Sequence, residues 1–182
     1  MTRNQVGASL VEGMVVIAIS SILLSIGLPN FTRFIHSSRT SRIGSDLIAD
    51  IWHTRSEAVK LNAYVMLCAS ADGVLCSDAG DWNQGWLSFP DHNGNAVRDE
   101  LEPILRSHPA IEADWLVRGN APVRRYVRYG PNGETSAING AFQAGTITVC
   151  KAGSDAAERI QIVINKVGRP RSTKLSNAIC EA

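Results

Sequence analysis

The residues of this chain that are best suited to bind a ligand are arginines close to its C-terminus. From Arg159 to Lys174 there are five basic residues and no acidic one: Arg159, Lys166, Arg169, Arg171 and Lys174. In Gly168-Arg169-Pro170-Arg171, glycine frees the backbone and proline stiffens it, so a constrained turn is predicted. The planar fork of arginine suits phosphate oxygens. A second basic stretch contains Arg118, Arg124, Arg125 and Arg128. If the two basic stretches lie on the same sheet, they would form a stripe of positive charge that follows a nucleic-acid backbone.

The loop Asp91–Glu102 is a second place where a ligand could bind. Oxygen-bearing side chains stand at its positions 1, 3, 5, 9 and 12, the pattern of an EF-hand calcium loop. Ala96 occupies the sixth position, where the tight turn favours glycine, and no helix is predicted to enter the loop. Because asparagine and aspartate also form turns without metal, we predict no metal site and leave calcium as an open alternative. Zinc is disfavoured, since C-x-x-C is absent and the histidines are scattered.

Catalytic signatures are missing from the sequence. It contains no G-x-S-x-G, H-E-x-x-H or P-loop motif, and its four histidines show neither metal nor triad spacing. We therefore expect no enzymatic activity and no cofactor.

The N-terminal segment predicts a membrane helix behind a short leader. Residues 1–7 carry one positive charge, Arg3, and residues 8–28 form an apolar run in which Glu12 is the only charge. A helix of that length is about 30 Å long and would cross a bilayer, and the positive leader favours a cytoplasmic start. An acid in such a run is costly without a partner, which suggests that Glu12 has a functional role.

The order of these features resembles a type IV prepilin leader. A secretory signal has its cleavage site after the apolar stretch, whereas here the site would precede it, at Gly7–Ala8. The resemblance implies cleavage after Gly7 by a prepilin peptidase, N-methylation of Ala8 and an assembly role for Glu12. Pro29 falls where pilin helices commonly bend. Phenylalanine is the usual first mature residue, so Ala8 departs from the pattern, and a plain signal anchor is the alternative.

The remainder of the chain is long enough for one domain with its own core. The net charge of +1 falls to zero if Arg3 is removed, so the overall charge indicates no partner. The cysteines Cys68, Cys76, Cys150 and Cys180 are even in number, which favours two disulfides in a domain outside the inner membrane. Their spacing suggests the pairs Cys68–Cys76 and Cys150–Cys180, although three pairings are formally possible.

Hydrophobic periodicity predicts one long helix followed by strands. Apolar residues recur at helical steps through Phe34, Ile43, Leu47, Ile51 and Ala58, which predicts a helix over residues 8–62 whose second half packs on a sheet. Strands are predicted at Tyr64–Ala69, Gly85–Phe89, Val123–Tyr129, Thr146–Lys151 and Arg159–Val167, the last two as a hairpin. Pro131-Asn132-Gly133 is predicted to be a turn. Residues 91–122 are expected to be an irregular excursion from the sheet.

The body of the chain resembles the GspH/FimT family of minor pilins and pseudopilins. The resemblance is carried by Arg55-Ser56-Glu57-Ala58, Leu67-Cys68, Trp82, Gly85-Trp86, DHNGNAVRDELEPILR and IQIVINKVGRPR. It implies an α+β, pilin-like fold with a long N-terminal helix on an antiparallel sheet. The expected parts are a leader (1–7), a transmembrane or filament-core helix (8–28) and a periplasmic or extracellular domain (29–182). The resemblance also implies other pilins as partners, and the inner membrane and then the pilus of a Gram-negative bacterium as locations.

The resemblance implies a DNA-binding function and leaves two alternatives. FimT-type minor pilins bind extracellular DNA in natural transformation and carry a G-R-x-R signature that Arg169 and Arg171 match, with Lys166, Lys174 and Arg159 flanking it. Binding to double-stranded DNA would be weak, independent of sequence and sensitive to salt. The alternatives are a structural pilin that primes assembly and a type II secretion pseudopilin with protein partners. In both, the basic turn would be a solvated face or a contact to an acidic neighbouring subunit.

Overall fold

The structure, a computed structural model, describes residues 9–153, 158–175 and 180. The chain divides into two compact units, the first ending at His36 and the second beginning at Ser37. One helix, α1 (Leu10–Leu61), has residues in both units, in agreement with the predicted long helix. The predicted processing residues Gly7 and Ala8 lie outside the described residues.

In the first unit, the stretch of α1 between Leu10 and Leu28 is predominantly apolar on all sides, with Glu12 as its one charge. Its large hydrophobic side chains between Leu10 and Leu28 are all more than half exposed. The helix reaches a mean hydropathy of 2.2 over an 18-residue window, so by length and composition it could cross a membrane. Ser21 Oγ and Asn30 Nδ2 donate to main-chain carbonyls four residues earlier. Such bonds give polar side chains a partner where water is absent.

The described residues of the second unit form two four-stranded antiparallel sheets. The first has the order β3-β2-β1-β5 and the second the order β4-β6-β7-β8. The strands are β1 (Val65–Ala69), β2 (Trp86–Pro90), β3 (Arg106–His108), β4 (Trp115–Gly119), β5 (Tyr126–Tyr129), β6 (Gly145–Lys151), β7 (Arg159–Ile164) and β8 (Pro170–Leu175). Short 3-10 helices at Trp82–Gln84 and Ala121–Val123 precede β2 and β5. Strands β6 and β7 pair antiparallel, as predicted.

The sequence prediction missed three strands. Strands β3 and β4 lie within residues 91–122, which the sequence predicts to be irregular; the prediction is wrong there because both are too short to show a long alternating pattern. Strand β8 begins at Pro170, inside the predicted basic turn. Proline is tolerated at this position because it is the first residue of an edge strand. The other side chains of β8 are mostly exposed, so no hydrophobic alternation reveals the strand.

One face of α1 is buried against the sheets of the second unit. The buried helix residues include Ile43, Leu47, Ile51 and Ala58, at the predicted positions. Phe34, which the periodicity places on the same face, belongs to the first unit and is exposed. At Gly44 the helix comes so close to β7 that an added Cβ would lie 3.1 Å from the Ile160 side chain.

Two tryptophans tie α1 to both sheets. Trp86 Nε1 in β2 donates to Asp50 Oδ2 over 2.8 Å, and the Arg106 guanidinium in β3 donates to Asp50 Oδ1 over 2.9 Å. In β4, Trp115 Nε1 donates to Thr40 Oγ1 over 3.1 Å. Asp50 and Trp86 are both buried, so the carboxylate and the indole N–H satisfy each other away from water.

Two disulfides join the cysteines in the pairing that their spacing favours. The bond Cys68–Cys76 closes a loop after β1, with a sequence separation of 8. The bond Cys150–Cys180 connects β6 to a point 30 residues further along the chain. The second bond therefore restricts a longer segment of the unfolded chain than the first.

We expect Asp50→Ala to lower the free energy of unfolding by about 3 kcal/mol, because it removes a charged hydrogen bond and leaves the buried Trp86 N–H without an acceptor. Urea unfolding of the second unit, expressed from residue 37 and followed by tryptophan fluorescence, measures this. The matched control is Asp46→Ala: Asp46 lies on the same helix but is partly exposed, and its partners Arg42 and His108 both lie 3.8 Å away. It should cost less than about 1 kcal/mol. Equal losses for the two variants would contradict the special role of Asp50.

Removing Cys150–Cys180 should destabilise the second unit more than removing Cys68–Cys76. Chain-entropy arguments give a loss of about 3.5 kcal/mol for the longer loop and about 2.5 kcal/mol for the shorter one. The double variants Cys150→Ala/Cys180→Ala and Cys68→Ala/Cys76→Ala, compared by urea unfolding, check the order. A larger loss for the shorter loop would show that local packing around β1 outweighs loop length.

Candidate nucleic-acid interface

The side of the second sheet opposite the helix is mostly polar and carries several basic side chains. Side chains alternate along its strands, so buried residues such as Ile147 and Ile162 face the core and their neighbours face outwards. One outward row runs across the strands as Arg118–Thr148–Gln161–Thr173. The rows on either side of it contain Thr146–Val163–Arg171 and Arg159–Leu175. We call this surface the outer face; it carries Arg118, Arg159 and Arg171.

The outer face has an excess of positive charge. The described residues of β4, β6, β7 and β8 include no acidic side chain. Neighbouring strands are about 4.8 Å apart, and Arg171 in β8 lies one row away from Arg118 in β4. Their Cα atoms are therefore separated by roughly 16 Å. Duplex DNA presents one phosphate charge per about 1.7 Å of its axis, so arginines with this spacing can meet different phosphates of one duplex.

Arg118 lies between two hollows of the surface. One, of about 390 Å³, is lined by Arg118, Thr148, Arg159 and Gln161 among others. The other, of about 420 Å³, is lined by Arg118, Arg124, Gly80 and Asp81 among others. Two arginines and neutral hydrogen-bonding groups thus surround the first hollow, which is a suitable environment for an anion.

The turn between β7 and β8 holds Arg169 in a defined position. Gly168 N–H donates to the Asn165 carbonyl over 2.9 Å, and Arg169 N–H donates to Asn165 Oδ1 over 2.8 Å. Gly168 has a φ of 73°, and a Cβ there would lie 2.3 Å from the Gly133 carbonyl oxygen, so only glycine fits. The sequence predicts a turn constrained by Gly168 and Pro170. Gly168 lies in the turn as predicted, whereas Pro170 is already the first residue of β8.

Side chains of α1 and β5 anchor this turn from below. The Tyr129 hydroxyl donates to the Gly168 carbonyl over 2.9 Å, and the Arg55 guanidinium donates to the Val167 carbonyl over 3.4 Å. Burial raises the pKa of Tyr129 well above its usual value, so the phenol keeps its donating proton. The exposed side chains of Arg169 and Arg171 therefore project from a backbone that is fixed to the core.

The lysines predicted to flank the motif do not lie on the outer face. Lys174 stands opposite the core residue Ile160, and its Nζ contacts Glu158 Oε1 at 2.7 Å and Ser41 Oγ at 2.9 Å. Burial raises the pKa of Glu158, but hydrogen bonds from Lys174 and Ser37 more than offset this and leave the pKa lowered. Lys166 lies 5.8 Å from the centre of the Phe142 ring, near the turn.

The second basic stretch separates into different environments. Arg118 is on the outer face, and Arg124 lines the neighbouring hollow. Arg128 is buried: its guanidinium donates to the Ala137 carbonyl over 2.8 Å and stacks over Tyr64 at 4.4 Å, so its role is structural. Arg125 pairs with Asp78 at 3.3 Å. The central place of Arg118 is visible in the sequence only once β4 is recognised, since the alternation of Val117 and Arg118 assigns its face.

Glu12 lies at the start of α1 in the first unit. Ser9 immediately precedes the helix, and its Oγ accepts the Glu12 main-chain N–H over 3.2 Å. Serine before the helix and glutamate three residues later form the sequence signature of a capping box, a signal that is absent from the sequence-based prediction. A negative side chain in the first turn also interacts favourably with the helix dipole.

Comparison with known proteins places this fold among pilins. The family model described as "Type II transport protein GspH" matches residues 44–168. No curated protein sequence matches the chain. Two crystal structures of the type IV minor pilin FimU from Pseudomonas aeruginosa strain PAO1 are similar in structure, both with 19% sequence identity. The structure in space group P21 has a TM-score of 0.53 and covers 78% of this chain and 90% of its own. The structure in space group P65 has a TM-score of 0.52 and covers 71% of this chain and 88% of its own.

At this identity, the likeness to FimU shows a shared pilin fold, with a long N-terminal helix packed on antiparallel sheets. The matched family segment ends at Gly168, so Arg169 and Arg171 follow it directly and are not part of the match. Because the family model covers more than half of the chain, the protein belongs to the GspH family of minor pilins and pseudopilins.

Proposed function

We propose that this protein is a minor type IV pilin of the FimT kind, and that it binds double-stranded DNA through the outer face and the adjoining turn. The observation that supports this most directly is the absence of acids from β4, β6, β7 and β8 together with the placement of Arg118, Arg159 and Arg171 on one side of the sheet. Arg169 extends this surface at the turn. Contacts of this kind go to phosphates, so they position DNA without reading its sequence.

The proposal assigns each unit a separate task. A prepilin peptidase cuts after Gly7, Ala8 is methylated, and the apolar part of α1 holds the subunit in the inner membrane until it enters a filament with other pilins. The second unit is then presented outside the cell, where DNA is encountered. Several weak sites along one filament would raise the avidity without any new contact. No catalytic step and no cofactor is part of this function.

A type II secretion pseudopilin is the second candidate, and the description of the matching family model favours it. In that case the basic surface would contact proteins of the secretion machine. A deletion strain separates the candidates: loss of DNA uptake with intact pili supports our proposal, and loss of protein secretion supports the pseudopilin. Loss of pili altogether supports a priming pilin.

The double variant Arg169→Ala/Arg171→Ala should weaken DNA binding by at least about tenfold and reduce the salt dependence. Each lost phosphate contact lowers the slope of log K against log salt by about 1, so the slope should fall by about 2. Arg118→Ala should also lower the DNA affinity and the salt slope, each by about half as much as the double variant does. Gel shifts of a random-sequence duplex with the second unit, at several salt concentrations, measure affinity and slope together.

Arg42→Ala is the matched control for these variants. Arg42 is an equally charged, exposed side chain on α1, and its contact to Asp46 is long, at 3.8 Å. It should leave binding unchanged, because α1 lies on the opposite side of the second sheet from the outer face. If Arg42→Ala weakens binding as much as the double variant, net charge and not the outer face determines affinity. If the wild type does not shift DNA even at low salt, the proposal of DNA binding is wrong.

Replacement of Glu12 should block incorporation into filaments while cleavage of the leader continues. The proposed role is to neutralise the N-terminal amine of a neighbouring subunit in the apolar core of the filament, where an unpaired charge is costly. Glu12→Gln keeps a side chain suited to the capping box but removes the charge. We therefore expect Glu12→Gln to be as defective as Glu12→Ala, measured as the amount of mature subunit in sheared pili.

Ser9→Ala tests the capping contact separately, since it removes the hydroxyl that accepts the Glu12 N–H. It should weaken the start of the helix but allow incorporation. Normal incorporation of Glu12→Gln would show that assembly does not require the charge of Glu12, and the proposed role would be wrong.

A further inference from the structure

The loop between β2 and β3 contains two buried carboxylates. Asp91 is 1% exposed and Glu102 is 4% exposed, and they mark the two ends of the segment that follows β2. Both Glu102 oxygens accept main-chain N–H groups, from His92 at 2.9 Å and from Asp99 at 3.0 Å. Asp91 Oδ2 accepts the Ala96 N–H at 3.2 Å. The loop is therefore folded around these two acids.

The charge of this loop is not compensated. Asp91 Oδ1 is buried and has no hydrogen-bond partner in the described part of the chain. Neither Asp91 nor Glu102 forms an ion pair with a described basic residue; the nearby Arg98 donates to the main-chain carbonyl of Glu102 and not to its carboxylate. Buried carboxylates without a cation are costly. A bound cation would neutralise them and give Asp91 Oδ1 a partner.

We propose that Asp91–Glu102 is a calcium-binding loop. The side chains of Asp91, Asn93, Asn95, Asp99 and Glu102 and the Val97 carbonyl would supply the oxygens. Three of these side chains already lie together, since Asn93 Nδ2 and Asn95 Nδ2 both donate to Asp99 Oδ2, at 2.7 and 3.2 Å. In the described residues, Asp91, Asp99 and Glu102 do not form a metal-binding group by themselves, so the proposed site also needs the amide oxygens of Asn93 and Asn95 and the Val97 carbonyl. A set made only of oxygen ligands suits calcium better than zinc.

Ala96, which argues against calcium in the sequence, does not argue against it in the structure. Glycine is favoured at the sixth position of such a loop because the backbone turns sharply there. Ala96 occupies that position and adopts a φ of 62°, so the chain makes the turn without glycine. The proposal departs from our sequence-based expectation of no metal site, and the unpartnered oxygen of Asp91 is the reason.

Thermal unfolding of the full chain in detergent, after treatment with EDTA, tests the site. Addition of about 10 mM CaCl2 should raise the midpoint by about 5 °C if the affinity is that of extracellular calcium modules, with Kd about 0.1 to 1 mM. The same concentration of MgCl2 should raise it much less, because magnesium demands a stricter octahedral geometry. Calorimetric titration with CaCl2 should give about one site per chain.

Asp91→Asn separates binding from folding. Without calcium, this variant should be at least as stable as the wild type, because it removes an uncompensated buried charge and keeps an acceptor for the Ala96 N–H. With calcium, it should show less than a quarter of the wild-type shift. Asp78→Asn is the matched control, since Asp78 is a fully exposed acid outside the loop, and it should keep the whole shift. No calcium-dependent shift in the wild type, an equal shift with magnesium, or a full shift in Asp91→Asn would each overturn the proposal.

Discussion

The buried carboxylate of Asp50 is the constraint on which the arrangement of the second unit depends. Trp86 is fully buried, and its N–H needs an acceptor inside the core; Asp50 is that acceptor, and Arg106 then compensates the charge. The contact fixes α1 against β2 and holds the short strand β3 at the edge of the first sheet. Because β2 ends at Pro90 and β3 begins at Arg106, the same contact also holds both ends of the loop that contains Asp91 and Glu102.

The second sheet separates its two sides by charge. On the helix side, Lys174 is paired with Glu158, and the aliphatic side chains of β6 and β7 form the core. On the outer face no strand residue offers Arg118, Arg159 or Arg171 an acidic partner. In the proposed function, their partner is the anionic backbone of DNA. A basic run that looks continuous in the sequence is thus divided by the strand alternation into a structural lysine and a surface of arginines.

The sequence was sufficient for the elements with strong periodicity and insufficient for the short ones. Helix α1, the β6–β7 pair and the turn at Gly133 follow from apolar spacing and turn residues. Strand β4 has five residues, and β8 is an edge strand that buries little, so neither contains enough hydrophobic contrast to be recognised. The same limit applies to the site. Arg169 and Arg171 can be selected from their motif. That Arg118 and Arg171 lie on the same face of one sheet depends on cross-strand register, which local sequence does not encode.

Glu12 has a local role at the start of α1 and, in the proposed function, a second role in assembly. As the third residue of α1 it stands where acids stabilise a helix start, and the Ser9 cap gives its N–H a partner. Glutamine would serve the capping box as well, without carrying a charge into an apolar segment. Helix capping alone therefore does not account for the acid, whose desolvation in a membrane or filament core is costly. The proposed assembly role accounts for the charge, because a free amine at Ala8 of a neighbouring subunit would be a cation able to pair with it.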